Sequence, residues 1–297
     1  MTIYTHITSN KRRSLVLMLL FFAIIIGLGY TIDQIQGTGS WFWVVIALLY
    51  GIGSALVGYY SGDKIALWTS GAQPISKEEN PYLVRMVENL AITSGLPMPK
   101  VYVIPDDDIN AFATGRDPQH ASLAVTQGAI SKLENEELEG VIAHELSHIG
   151  NYDIRYMTLV IVLVGTVMVL SDMFWRVRFL GRGGNNRNNG AGGVILLIGV
   201  ALLILSPLFA ELIRLAVSRK REYLADASGA LLTRYPEGLA RALEKIAREG
   251  ARIERATRST AHLYFANPLS SGASSLFSTH PPIEKRIDAL RKMAAGQ

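Results

Sequence analysis

The chain contains no cysteine among its 297 residues. That absence excludes disulfide scaffolds, thiolate zinc sites, iron–sulfur clusters and cysteine nucleophiles, so a transition metal here must be held by His, Asp or Glu. Charge is also scarce: 18% of residues are charged and 49% are hydrophobic, with a mean hydropathy of +0.24. A disordered chain shows the opposite balance. The net charge of +4 comes without a recognisable nucleic-acid motif or an aromatic-basic surface, so no nucleic-acid partner is expected. In so apolar a chain, Lys and Arg belong beside membrane spans instead. No internal repeat is visible, and only 181–193, rich in Gly, Asn and Arg, is compositionally biased; it reads as a flexible hairpin tip.

Long apolar runs are what the chain has in place of charge. Four of them, 15–32, 41–60, 157–175 and 192–210, approach the roughly 20 residues that cross a bilayer. The competing reading for the first two is a buried core helix, which rarely runs this far without a charge. For the last two it is an interfacial or re-entrant hairpin. Lys11, Arg12 and Arg13 precede the first run as in a signal peptide, but no small-residue cleavage site follows and a second span comes at once. A retained anchor is therefore expected. The loop 31–40 has no Lys or Arg, whereas Lys64, Arg155, Arg214, Arg219, Lys220 and Arg221 flank the other spans on the tail's side. This bias places the tail and most of the polar chain in the cytoplasm. Arg176, Arg178, Arg182 and Arg187 run against it, because four spans place their loop outside.

The polar parts alternate short strand-like and helical patterns. Asn80-Pro81 starts a helix that Gly95 and Pro97 stop. Residues 101–104 and 122–126 read as strands, with 109–114 a third. A strong helix starts near Asn135, with Glu136, Glu137 and Glu139 in its first turns and Gly150 as its cap. Helices are also expected over 218–232, 236–254 and 282–293. The fold class is thus α+β, predominantly helical: a polytopic membrane protein whose polar part is split in sequence by a transmembrane hairpin. Its parts are a tail and first hairpin (1–60), a first polar part (61–156), a second hairpin (157–217) and a second polar part (218–297).

On the strong helix lies His144-Glu145-Leu146-Ser147-His148. Residues four apart share a helix face, so both imidazoles reach one ion, and Glu145 stands beside them to take a proton from an attacking water. At this composition the pattern is expected by chance about 0.006 times, which disfavours two core or capping histidines. A catalytic zinc site needs a third protein ligand. Arg221-Glu222-Tyr223-Leu224-Ala225-Asp226 offers two carboxylates on one face: Glu222 to bind the metal and Asp226 to orient a ligand histidine. An exposed, Arg-flanked acidic pair is the bland alternative. Two membrane crossings between His148 and Glu222 bring both to the same membrane face.

The segments AHELSHIGNYD, SRKREYLADASGA and STHPPIEKRI, with two spans before the first and two between the first and second, resemble the HtpX family of membrane zinc metalloproteases. This family is of gluzincin type and a distant relative of the CAAX prenyl protease, which implies a zincin-like catalytic domain made of 61–156 and 218–297 and split by the second hairpin. The resemblance covers nearly the whole chain. It implies one Zn2+ per chain on His144, His148 and Glu222, with Glu145 as base. It further implies a site facing the cytoplasm from the bacterial inner membrane and cleavage of misfolded or damaged membrane proteins. Asn110, Ala111, Phe112, Ala113 and Thr114 match the family's stretch beside the cleft, and a substrate strand is expected to pair there. The relatives also point to His280 and Arg286 for stabilising the oxyanion; the simpler reading is that Pro281-Pro282 merely starts the last helix. His6, His120 and His262 have no partner at ligand spacing. The expected partners are polypeptides and the lipid bilayer, with oligomers possible. The alternative reading is a proteolytically inactive membrane scaffold whose metal only joins its two soluble halves.

Overall fold

The two N-terminal apolar runs form helices longer than the runs themselves: α1 spans Ile3–Gln36 and α2 spans Phe42–Ser70. The computed structural model describes residues 3–36, 40–160, 162–163, 166, 219–249, 263–266 and 281–295. Among the described residues, α2 is the one helix long and apolar enough to cross a membrane. The two helices lie side by side, and Leu15, Leu19, Trp41, Val45, Leu49 and Tyr60 point outward, each more than half exposed. So much unburied apolar surface suits contact with lipid chains. α2 does not stop at Tyr60. It carries on past Asp63 and Lys64 because Ala66 and Leu67 then pack on Ile104, Phe112 and Ala124 of the sheet. The apolar helix therefore runs directly into the core of the polar part.

That part is mostly helical with one mixed sheet. The strands are β1 (Gln73–Pro74), β2 (Lys100–Ile104), β3 (Ala111–Gly115) and β4 (Ala121–Thr126), in the order β1-β2-β4-β3. β2 and β4 run parallel, pairing Val101 with Leu123, while β3 runs antiparallel to β4, pairing Ala113 with Leu123. β3 is thus an edge strand. α3 (Pro81–Ser94) begins as its sequence requires: the Asn80 side chain accepts a hydrogen bond from the Leu83 N–H, and Pro81 opens the first turn. It ends on Gly95, in the left-handed region at φ 68°.

After the short α4 (Gln127–Lys132), α5 (Asn135–Gly150) crosses behind β3. Its start is fixed by the Glu137 carboxylate, which accepts from the Glu134 N–H at 2.8 Å. Gly150 is not its cap. Asn151 takes that position, and Tyr152 follows at φ 60°, a conformation costly for an aromatic residue, which turns the chain sharply. Residues 153–160 resume as helix α6. The third apolar run begins inside α6, where Tyr156, Leu159 and Val160, with Leu163 beyond, pack on Leu17, Phe21 and Ile25 of α1. The rest of that run, the fourth run and the arginine-rich loop lie outside the described residues.

α7 (Arg219–Thr233), α8 (Pro236–Glu249) and α9 (Ile283–Ala294) complete the core with α3, α5 and the sheet. α9 begins one residue later than its prolines suggest, with Pro282 as the flanking residue whose carbonyl accepts from Lys285 and Arg286. α7 and α5 are separated by about seventy residues of chain, yet they touch backbone to backbone. A β-carbon on Gly229 would lie 2.9 Å from the His144 nitrogen. Gly229→Ala is therefore expected to cost about 1–3 kcal/mol by overpacking and to push α7 away from the histidine helix. Denaturant unfolding in detergent measures it; a midpoint equal to the parent's would mean the interface has room to spare.

Candidate metal centre

α5 presents His144 and His148 on one face, their rings edge to face with centroids 4.8 Å apart. Their Nε2 atoms face one another at 3.2 Å. From α7, Glu222 brings Oε1 to 3.7 Å from His148 Nε2 and Oε2 to 4.0 Å from His144 Nε2. These three residues form the cluster of possible metal donors among the described residues, with all donor atoms within 4.8 Å of one another. Ligands around a tetrahedral zinc-sized ion stand about 3.3 Å apart, given bonds near 2.0–2.1 Å. The cluster needs only a small contraction to reach that spacing.

Each imidazole is held from behind by a carboxylate. His144 Nδ1 lies 2.9 Å from Asp226 Oδ1 on α7, and His148 Nδ1 lies 3.0 Å from Asp153 Oδ2 on α6. A carboxylate opposite Nδ1 favours the tautomer protonated there and turns the Nε2 lone pair toward the centre, as metal-binding histidines require. Asp226 is itself gripped by Arg286, whose Nε donates to Oδ2 at 2.8 Å and Nη2 to Oδ1 at 2.7 Å. Burial alone would raise the Asp226 carboxyl, but the Arg286 guanidinium and then His144 hold it below its ordinary value. Asp153 receives Asn10 Nδ2 at 2.7 Å and Arg221 Nη1 at 3.4 Å.

All of these groups are dry, with His144, Glu145, His148, Asp153, Arg221, Glu222, Asp226 and Arg286 each 4% exposed or less. The four carboxylates carry −4 when ionised and the two guanidiniums +2, an excess of two negative charges. Such an excess is costly in a dry interior unless something positive offsets it. A divalent cation between neutral histidines would do so. Burial would depress His148, but Asp153 and Glu222, with Glu145 behind them, lift it to about 9. The donor set, its spacing and its charge therefore fit a metal ion.

Glu145 stands beside the centre, its Oε2 accepting the Ala113 N–H of β3 at 2.9 Å. Burial, with Glu222 adding to it, raises this carboxyl to about 7 despite the opposing pull of His148 and Ala113. The outward edge of β3 is covered. Phe265 N–H donates to the Ala111 carbonyl at 2.8 Å, and the Asn110 side chain bonds both the nitrogen and the carbonyl of Ala266. Phe112 is buried against Tyr264, and Thr114 shares a hydrogen bond with Thr158.

Of the residues singled out in the sequence, His144, His148, Glu145, Glu222, Asp226 and Arg286 come together here, and Asn110, Ala111, Phe112, Ala113 and Thr114 lie on the adjoining edge. Arg286 faces Asp226 and Phe265, with Nη1 3.8 Å from Glu222 Oε2. His280, His262 and the His6 side chain lie outside the described residues. His120 is exposed and pairs with Asp117 at 2.7 Å, closing a single turn of 3-10 helix at 118–120. Asp153, Arg221 and Asn10 were not singled out. A carboxylate five residues beyond the second histidine gives no helical signal, since it reaches the ring only through the left-handed turn at Tyr152.

Residues 77–294 match a family model described as peptidase family M48. A protease HtpX homolog of Dictyoglomus turgidum is 45% identical over 293 residues, covering 98% of this chain and 95% of its own. Homologs bearing the same name in Tropheryma whipplei and Streptococcus uberis are 44% and 40% identical, with 98% of this chain and 98% and 100% of theirs covered. Among solved structures, the crystal structure of S. mikatae Ste24p shares the fold at a TM-score of 0.51 and 19% identity, over 97% of this chain and 67% of that one.

The raised pKa of His148 sets how metal uptake depends on pH. Binding requires the neutral imidazole, so an ion must displace the proton held there below about pH 9. Apparent metal affinity is expected to rise about tenfold per pH unit up to that point and then level off, with close to one proton released per ion near pH 8. Calorimetric titration of the metal-free protein in buffers of different ionisation enthalpy counts that proton. No release would mean that His148 is already neutral.

Proposed function

This chain belongs to peptidase family M48 and is a membrane metalloprotease, and from that premise we propose that it is a zinc-dependent endopeptidase with its site at the cytoplasmic face of the bacterial inner membrane. The reading extends to misfolded or damaged membrane proteins as substrates. One observation carries it: two imidazole Nε2 atoms facing each other at 3.2 Å, a carboxylate closing the third side, and a further buried carboxylate, Glu145, poised beside them. A metal that only joined two halves of a scaffold would have no use for Glu145.

His144, His148 and Glu222 would hold the zinc, which when bound polarises the scissile carbonyl and acidifies the attacking water. Glu145 takes the proton from that water and passes it to the leaving nitrogen. Burial and the Ala113 N–H that holds its Oε2 keep Glu145 beside the centre for both halves of that task. Asp226 and Asp153 keep the two rings aimed, and Arg286 keeps Asp226 ionised and in place. That contact makes Arg286 a positioning residue in this reading and leaves the oxyanion to His280. The substrate lies extended along β3, its backbone pairing with Ala111 and Ala113 where Phe265 and Glu145 now bond. The domain reading follows the chain: 61–156 and 218–297 form one catalytic unit carried on the hairpins 1–60 and 157–217. Its support is the close packing of α5 against α7.

Five substitutions separate these roles when metal content and casein cleavage are measured together. Glu222→Ala removes a ligand and should lose both zinc and activity. Glu145→Ala should keep about one zinc per chain while activity falls by about 10²–10⁴. Asp226→Ala should weaken zinc binding or rate by about 10- to 100-fold. Ala111→Pro and His280→Ala should keep zinc and lose cleavage. A Glu145→Ala protein that cleaves at the parent rate, or that loses its zinc, would overturn the assignment.

Sidedness has its own test. Reporters fused at Lys77 and at the C-terminus should both report cytoplasm, and one at Asn185 the opposite side. A cytoplasmic signal at Asn185 would refute the second transmembrane hairpin.

A further inference from the structure

We propose that the first apolar helix is part of the metal centre, with Asn10 as a positioning residue for His148; the inference rests on the zinc reading above. Asn10 lies in the second turn of α1, 141 residues from its nearest partner in the chain, and is 3% exposed. Its Nδ2 makes two hydrogen bonds, to the Asn151 carbonyl at 3.0 Å and to Asp153 Oδ1 at 2.7 Å. The other oxygen of Asp153 faces His148 Nδ1 at 3.0 Å. The path from membrane helix to metal ligand is therefore Asn10, Asp153, His148, with three atoms of one carboxylate as its middle link.

The geometry of the turn shows why this clamp is needed. Asp153 reaches back to His148 only because Tyr152 is left-handed, at φ 60°. A bulky residue pays about 1–3 kcal/mol for such a conformation and holds it only when its surroundings impose it. Two consecutive residues of α1 do so. Asn10 bonds the residues on both sides of Tyr152, and Lys11 places its Nζ 4.4 Å over the Tyr152 ring. Arg155 stacks on the same ring at 5.3 Å. Arg221, the second donor to Asp153, sits farther off at 3.4 Å and precedes the ligand Glu222 directly. The first apolar helix thus orients one ligand through the same carboxylate that the Glu222 helix touches. Displacing α1 would loosen His148 without moving the zinc helix itself.

The test uses the full-length protein in detergent, stripped of metal and titrated with Zn2+ against a chromophoric chelator. Asn10→Asp keeps the shape but turns the donor into an acceptor facing Asp153. It should weaken zinc binding about tenfold, the lower end for groups that orient ligands, and at saturating zinc should lower kcat for casein with little change in KM. Asn10→Ser, which retains one donor, should lose about threefold, and it serves if the Asp variant does not accumulate. Ser14→Ala and Leu17→Ala alter the same buried face of α1 one and two turns on, away from Asp153. They should lower the unfolding midpoint yet leave zinc affinity within about twofold. Unchanged affinity in the Asn10 variants, or equal weakening in Leu17→Ala, overturns the proposal. A parent that binds no zinc overturns the peptidase reading first, and this inference with it.

Discussion

Four carboxylates and two guanidiniums sit in one dry pocket, and two negative charges are left over. That imbalance governs the site more than any single contact. A buried ion pair roughly breaks even against its desolvation, so a surplus of buried charge has to be met by a bound ion or by protonation. The neighbouring groups feel it: Asp153, Glu222 and Glu145 lift His148 to about 9 against the effect of burial, and burial with Glu222 raises Glu145 to about 7. Metal uptake and proton release are consequently two descriptions of one exchange. Burial and the Glu222 charge raise Glu145 as well, and a cation between the histidines would draw it back down.

The constraint reaches outward into the packing. Glu222 can face two histidines from another helix only if the helix backbones nearly touch, and Gly229 permits that approach two turns along α7. Asp226, one turn from Glu222, then meets His144 from the same face. Arg286 arrives from α9 to fork onto Asp226, its guanidinium also stacked 4.7 Å over Phe265. Phe265 in turn lies edge-on against His144 and bonds the Ala111 carbonyl. Each group near the centre thus has a second duty, so most substitutions here should change both stability and metal binding. Only variants chosen to keep one duty, such as Glu145→Ala with all three metal donors intact, can isolate the other.

How much of this the sequence discloses depends on whether the signal is local. The histidine pair, its neighbouring Glu145 and the Glu222–Asp226 pair are legible because helical periodicity alone puts them on shared faces. The cap of α3 is legible for the same kind of reason, since Asn80, Pro81 and Gly95 act within one turn. The end of α2 is not. Asp63 and Lys64 look like the edge of a membrane span, but the helix continues because Ala66 and Leu67 find the sheet, a contact no local pattern announces. Asp153 is hidden by the turn at Tyr152, and the position of Arg286 becomes clear only when Asp226 is seen across 60 residues.

Both N-terminal helices are joined to the site, each by a different contact. α2 leaves the apolar region and ends inside the core, against the sheet whose edge strand carries Ala111 and Ala113. α1 packs on α6, and α6 carries Asp153. Each apolar helix is therefore tied to a different half of the site: α2 to the edge proposed for the substrate, α1 to the ring of a proposed ligand. A helix inserted in lipid is held at a fixed depth by its apolar surface and flanking charges. Connection to one such helix, α2, would fix the height of the pocket relative to a bilayer. Fixed placement supplies in advance part of the positioning that a soluble peptidase must obtain from substrate binding itself.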